Sequence, residues 1–188
     1  MRIKSMILGI SELHKLVKEK NLVEGLSERE LTNPEGAGFD LRIGELYELE
    51  GSGFLGVTER ETPKINLIAS YAKDGEKKVE LKPNTYYMMG TIEKVNLPDN
   101  LVALMRPRTT LFRSGVHLLL GQVAPGYKGS LNFGMVNLRP VPFYLEMGAR
   151  VVHIQFFEVK GENNLYRGQW QDGRVSTKQS TDQKETQV

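Results

Sequence analysis

The chain contains no cysteine, and that absence removes disulfides, thiol nucleophiles and thiolate metal sites together. Histidine is almost as scarce. His14, His117 and His153 lack the close spacing of metal ligands, so no zinc centre is expected. No apolar run approaches the roughly 18 residues that a membrane span requires. The opening MRIKSMILGI is too short and too poor in small residues to read as a signal peptide. Neither sign of charge dominates: 25 basic and 23 acidic side chains leave a formal +2, too balanced to argue for a nucleic acid partner. No internal repeat is evident. With 39% hydrophobic and 26% charged residues among 188, the composition is that of an ordinary globular protein. The length suits one domain with its own core. The expectation is a cytoplasmic protein without a membrane partner.

Along the chain, SELHKLVKEKNL (11–22) has a helical pattern, with Leu13, Leu16 and Val17 on one face and Ser11 in the N-cap position. LTNPEGAGFDLRIGELYEL passes from turn residues into a strand, and residues 51–80 read as loops or a long hairpin. From Val79 onward the pattern is β: short alternating runs, among them VHLLLGQV, LNFGMVNL and RVVHIQFFEV, are separated by Gly and Pro. Many short strands with closely spaced turns predict a β-sandwich or barrel rather than βαβ units. Residues 1–175 are expected to form the domain. The polar stretch 176–188 is expected to be a flexible tail whose last dozen residues carry no fold.

Four segments carry residue types suited to ligand chemistry. RPRTTLFRSG (106–115) concentrates arginines and threonines, whose guanidinium forks and hydroxyls suit phosphate oxygens, although a solvated strand end with surface arginines has the same composition. GQVAPGYKG (121–129) is either a hairpin whose glycines serve turn geometry, or a backbone cradle with Tyr127 as a stacking platform. Asp40, set among apolar neighbours in GAGFDLRIG, either satisfies buried backbone donors or helps to position a hydrated metal ion. His153 alternates with apolar residues and reads as a satisfied strand histidine. NNLYRGQWQDGR (163–174) is either disordered or an arm that folds over a bound ligand.

Taken in order, GAGFDLRIG, RTTLFRSG, GQVAPGYKGSLNFGMVN, GARVVHIQF and YRGQWQ resemble the successive motifs of the dCTP deaminase / trimeric dUTPase superfamily. ILGISELHKLV is similar to the N-terminal helix of the deaminase branch and its archaeal dUTPase-like relatives. The resemblance covers roughly residues 7–175. It implies a mainly β fold, a distorted β-barrel of the dUTPase-like, β-clip type with a short N-terminal helix. It also implies a homotrimer with nucleotide sites at subunit interfaces, dUTP or dCTP as ligand, and Mg²⁺ accompanying the triphosphate. By the same resemblance, Arg108, Thr109, Thr110 and Arg113 would hold phosphate, and Tyr127 would stack on the deoxyribose. Gly121, Gln122 and the strand Asn132, Phe133 and Gly134 would read the pyrimidine. Tyr166, Gln169 and Gln171 would lie in the closing arm, and Asp40 near the magnesium, through water.

Two positions depart from that pattern. Ala124 stands where the dUTPase branch carries the aspartate that orients water, and Gly134 where the deaminase branch carries its proton-shuttling glutamate. Alanine cannot orient water and glycine cannot move a proton, and such general acid–base help is typically worth ~10²–10⁴-fold in rate. The resemblance therefore implies a dUTP diphosphatase-type or dCTP deaminase-type hydrolase lacking both usual acids. The alternative is a catalytically inactive homologue that senses or regulates dUTP or dCTP.

Overall fold

The computed structural model describes residues 7–177 and 185–186. The chain opens with helix α1 (Ile10–Lys20), strand β1 (Val23–Glu24) and helix α2 (Glu28–Thr32). The long strand β2 (Phe39–Glu50) follows, then the small hairpin β3 (Phe54–Leu55) and β4 (Glu59–Glu61). Next come β5 (Lys64–Ser70), α3 (Tyr71–Asp74), β6 (Lys78–Leu81), β7 (Tyr86–Asn96) and β8 (Leu101–Pro107). After the single turn α4 (Thr109–Arg113) come β9 (Val116–Leu119), β10 (Gln122–Val123) and β11 (Lys128–Asn137). The last elements are β12 (Phe143–Glu146), β13 (Arg150–Glu158) and β14 (Glu185–Thr186).

Nine strands join one curled antiparallel sheet in the order β10-β8-β13-β2-β7-β11-β9, with β1 added to β7 and β5 to β2. The short alternating runs predict a sandwich or barrel, and this is the mainly β, distorted barrel that the resemblance implies. Alternation decides what faces inward. Leu101, Ala103 and Met105 of β8 are buried, while Val102 and Leu104 are half-buried. Phe39, Leu41 and Ile43 of β2 meet Ile154 and Phe156 of β13 in the core. α1 covers one side with Leu13 fully buried and Leu16 and Val17 packed beside it, the face read from the sequence.

Its start differs from expectation. Leu13 N–H donates to Gly9 O at 3.0 Å, so Gly9 is the N-cap and Ser11 lies inside the first turn. Three short helices also appear where only α1 was expected. One of them, α4, turns the arginine-rich segment into a helical turn rather than a strand end. Within 51–80 the hairpin β3–β4 is present, with Phe54 paired to Glu61. Most of the expected tail 176–188 lies outside the described residues. Of the part within them, Thr177 is buried and exchanges hydrogen bonds with Thr62, and Glu185–Thr186 pairs with β4.

Candidate functional site: an arginine cluster and an apolar cavity

Asp40 sits in β2 opposite His153 of β13, and it is only 1% exposed. Its Oδ2 accepts from Arg108 Nη1 at 2.6 Å, Arg150 Nη1 at 2.9 Å and Arg29 Nη1 at 3.5 Å. Its Oδ1 accepts from His153 Nδ1 at 2.9 Å. Gly38 makes this possible: a Cβ there would stand 2.1 Å from Ile154 O and 2.7 Å from His153 Nε2. Burial opposes ionisation of Asp40. The His153 hydrogen bond and the charges of Arg108 and Arg150 outweigh it and hold the carboxyl below its ordinary value.

The arrangement aims Arg108, the first residue of the expected phosphate segment. Three of the partners around the carboxylate are guanidinium cations, and a metal ion would have to enter among them. Among the described residues no group of three or more His, Asp or Glu side chains could hold a metal. The residues present therefore do not fit a resident metal, and the geometry gives Asp40 the work of fixing guanidinium groups. Thr109, Thr110 and Arg113 lie exposed on α4.

The second feature is a cavity of about 610 Å³ whose wall includes Gly121, Gln122, Ala124, Tyr127, Asn132 and Tyr166. Arg108, Thr109, Thr110 and Arg113 are absent from that wall. One chain thus holds the two groups of expected site residues apart.

The loop 121–129 forms the cavity's floor because its backbone turns tightly. Tyr127 N–H donates to Ala124 O at 3.2 Å, and Gly126 adopts φ +79°. Tyr127 is 7% exposed. Its hydroxyl donates to Ser130 O at 2.6 Å, and burial pushes that phenol up to about 12. Asn132 faces the cavity and Phe133, alternating with it, is buried in the core. Only the backbone of Phe133 can serve a ligand there. The β9–β11 ladder begins at Leu119–Gly134, so β11 runs beyond β9 at Leu131–Phe133, beside the loop that carries Gly121.

The segment after β13 closes over this loop. Tyr166 N–H donates to Pro125 O at 2.7 Å, and its ring meets Tyr127 edge-on at 5.3 Å. Gln171 donates to Gly126 O at 3.2 Å and accepts from Lys128 N–H at 3.1 Å. Asn132 Nδ2 donates to Gly173 O at 2.8 Å. Gln169 turns away and donates to Thr186 O at 2.6 Å. Trp170 lies between Arg60 and Arg174, whose guanidinium carbons are 5.7 and 5.8 Å from its ring. Sequence reasoning did not find Tyr86, Met88, Trp170 or Arg174, all of which line the cavity. The first two come from β7, whose alternation was legible but whose partner strand was not.

The architecture is therefore a curled antiparallel β-barrel with a cavity, a glycine-rich loop and a separate guanidinium cluster. Residues 7–159 match the model of the dCTP deaminase-like family, and the chain belongs to that family. It is 31% identical over 156 residues to the dCTP deaminase of Pyrococcus furiosus, covering 82% of this chain and 87% of that one. It is 25% identical over 149 residues to the deoxyuridine 5'-triphosphate nucleotidohydrolase of Methanocaldococcus jannaschii, covering 79% and 92%. The 2'-deoxycytidine 5'-triphosphate deaminase of Agrobacterium tumefaciens has a similar fold, with a TM-score of 0.62 at 17% identity. That match covers 80% of this chain, which spans 46% of the Agrobacterium chain. No helix among the described residues is long and apolar enough to cross a membrane.

Proposed function

We propose that this chain binds a pyrimidine deoxynucleoside triphosphate, dUTP or dCTP, at a site shared between copies of itself. The base and deoxyribose occupy the Tyr127 cavity of one copy. The phosphates lie on Arg108, Thr109, Thr110 and Arg113 of another, in a homotrimer. The observation that carries this reading is the separation itself: the apolar cavity suits a planar base, while Arg108 and its neighbours stand outside that cavity. Each feature fits one half of a nucleotide, and neither holds the other half. Family membership and the named activities of the relatives point to the same ligand class.

Mg²⁺ would accompany the triphosphate and offset the charge of its oxygens, whereas Asp40 is committed to guanidinium and imidazole partners. The protein works in the cytoplasm, where such nucleotides are made and consumed.

One copy's share of the chemistry is set by what its cavity wall offers. No Asp, Glu or His is among its lining residues, so the wall holds no strong base to take a proton from water. The best-supported reading is therefore nucleotide binding without efficient turnover, as a sensor or regulator of dUTP or dCTP. A dUTP diphosphatase-type activity is the second reading. Guanidinium and hydroxyl donors on the phosphates can stabilise charge developing at the Pα–O–Pβ bridge without a carboxylate.

Purified protein incubated with Mg²⁺ and each of dUTP, dCTP, UTP and CTP, followed by thermal melting and chromatography, separates the two. Stabilisation by a deoxynucleotide without product supports the sensor. Release of dUMP and pyrophosphate establishes the hydrolase, and no stabilisation by any of the four overturns nucleotide binding.

A further inference from the structure

Gly134 lacks a side chain, and a phenol fills the space that one would take. A Cβ built on Gly134 would stand 2.3 Å from Tyr86 Oη and 2.8 Å from the ring carbon that bears it. Tyr86 reaches this spot from the neighbouring strand. Met88 pairs with Gly134 across the β7–β11 ladder, and Tyr86, two residues earlier, shares its face of β7. Both side chains line the cavity.

The hydroxyls and amides of the wall are not equally free. Tyr127 donates to Ser130 O, Asn132 Nδ2 donates to Gly173 O while its buried Oδ1 accepts from no donor among the described residues, and Thr62 Oγ1 is paired with Thr177. Tyr86 Oη has a thioether as its partner, Met88 Sδ at 3.5 Å, and sulfur is a weak acceptor. The residue is 40% exposed, so the hydroxyl is accessible. Burial of the ring raises its pKa, which keeps the phenol neutral and able to donate at neutral pH.

We infer that Tyr86 is a ligand-contacting, specificity-determining residue, whose phenol, seated over Gly134, hydrogen-bonds the polar edge of the heterocycle in the cavity. This rests on the nucleotide reading above. It also gives Gly134 a role: one position cannot hold both a side chain at 134 and the hydroxyl of residue 86. Gly134 is the residue that admits the phenol. The bound edge must then carry a carbonyl, ring nitrogen or amino group within reach of the hydroxyl, as a pyrimidine does. A ligand without a base gains nothing from it.

The test is calorimetric titration of wild-type protein, Tyr86→Phe and Gly134→Ala with dUTP, dCTP and inorganic triphosphate, with thermal melts as a folding control. Tyr86→Phe keeps the ring and removes one hydrogen bond. It is expected to weaken binding of the preferred nucleotide about five- to tenfold and to leave inorganic triphosphate unchanged. Gly134→Ala, which evicts the phenol, is expected to weaken nucleotide binding at least as much. Tight wild-type binding with Tyr86→Phe unaltered would overturn this inference alone. Equal losses for nucleotide and inorganic triphosphate would overturn it as well, by showing a general effect. Absence of wild-type nucleotide binding would overturn the nucleotide reading and this inference together.

Discussion

The Asp40 cluster and the Tyr127 cavity lie in one sheet and are built from opposite materials. The cluster gathers three guanidinium groups and an imidazole on one buried carboxylate. The cavity is walled by Leu49, Ile65, Met88, Met105, Val123 and Leu131 together with polar side chains such as Gln122, Asn132 and Arg174, and no acid is among its lining residues. One region is pre-organised charge and the other pre-organised shape. Charge is directional and strong but needs partners held in place. Shape discriminates by fit and needs glycines where chains approach closely. A nucleotide needs both kinds of recognition, and this chain keeps them in separate places.

Adding a carboxylate to the acid-free cavity wall is the sharpest way to disturb that division. Ala124→Asp puts a carboxylate into the cavity wall. It should raise the rate of dUMP release from dUTP by roughly 10²–10⁴-fold, measured by chromatography under single-turnover conditions. An unchanged rate would mean that the cavity is not where the phosphate bridge can be attacked.

Removing charge from the charged region should cost stability instead. Asp40→Asn removes the buried counter-charge of Arg150 and Arg108, leaving Arg108 only the exposed Glu35 at 3.9 Å. Breaking a fully buried pair costs about 3–5 kcal/mol. The arginine side chains are 30% and 37% exposed, so solvent screening lowers the expected loss to about 2 kcal/mol, read from urea unfolding. A loss below about 0.5 kcal/mol would show that solvent, not Asp40, satisfies the guanidinium groups.

The converse test changes shape without charge. Tyr127→Phe keeps the ring and strands the Ser130 carbonyl, which should lower stability by about 1 kcal/mol with little effect on nucleotide affinity. A large affinity loss would mean that the hydroxyl itself contacts the ligand.

The smallest effect is a pH dependence confined to the charged region. The folded-state pKa of Asp40 lies below its ordinary value of 3.8. Its stabilisation is therefore fully present above that value and lost as pH falls through the lower folded one. Melting temperatures of wild type and Asp40→Asn should converge on acidification below about pH 4 and stay apart at neutral pH. A gap that persists under acid would remove the ionised carboxylate from the account.

The two regions were also unequally legible. The strands could be read from period-2 alternation and turn residues, because burial of one sheet face dictates both, while the choice of barrel over sandwich comes from the resemblance. Tyr127 and its glycines could be read too, since their spacing is local. The Asp40 cluster could not be assembled, because Arg29 reaches that carboxylate from α2, and Arg150 and His153 from β13, across 11 to 113 residues of chain. Tyr86 was hidden for a related reason. Its contact with Gly134 depends on which strand lies beside β11 and in what register, and alternation within one strand contains neither fact. The start of α1 went astray more simply: Ser11 is a good capping residue, but Gly9 supplies the carbonyl that begins the helix.

The central claim is that the charged and the shaped regions serve one nucleotide from different copies of the chain, and mixing two variants tests it directly. Arg108→Gln removes the guanidinium proposed to hold phosphate, and Tyr127→Leu removes the ring proposed to carry the sugar. Each alone should lose dUTP and dCTP binding by about tenfold or more. Unfolding and reassembling the two together should restore a fraction of full-affinity sites, counted by calorimetry, because some sites then pair an intact Arg108 with an intact Tyr127. Recovery of tight sites in the mixture is the predicted result. A mixture that binds no better than its two components would contradict a shared site.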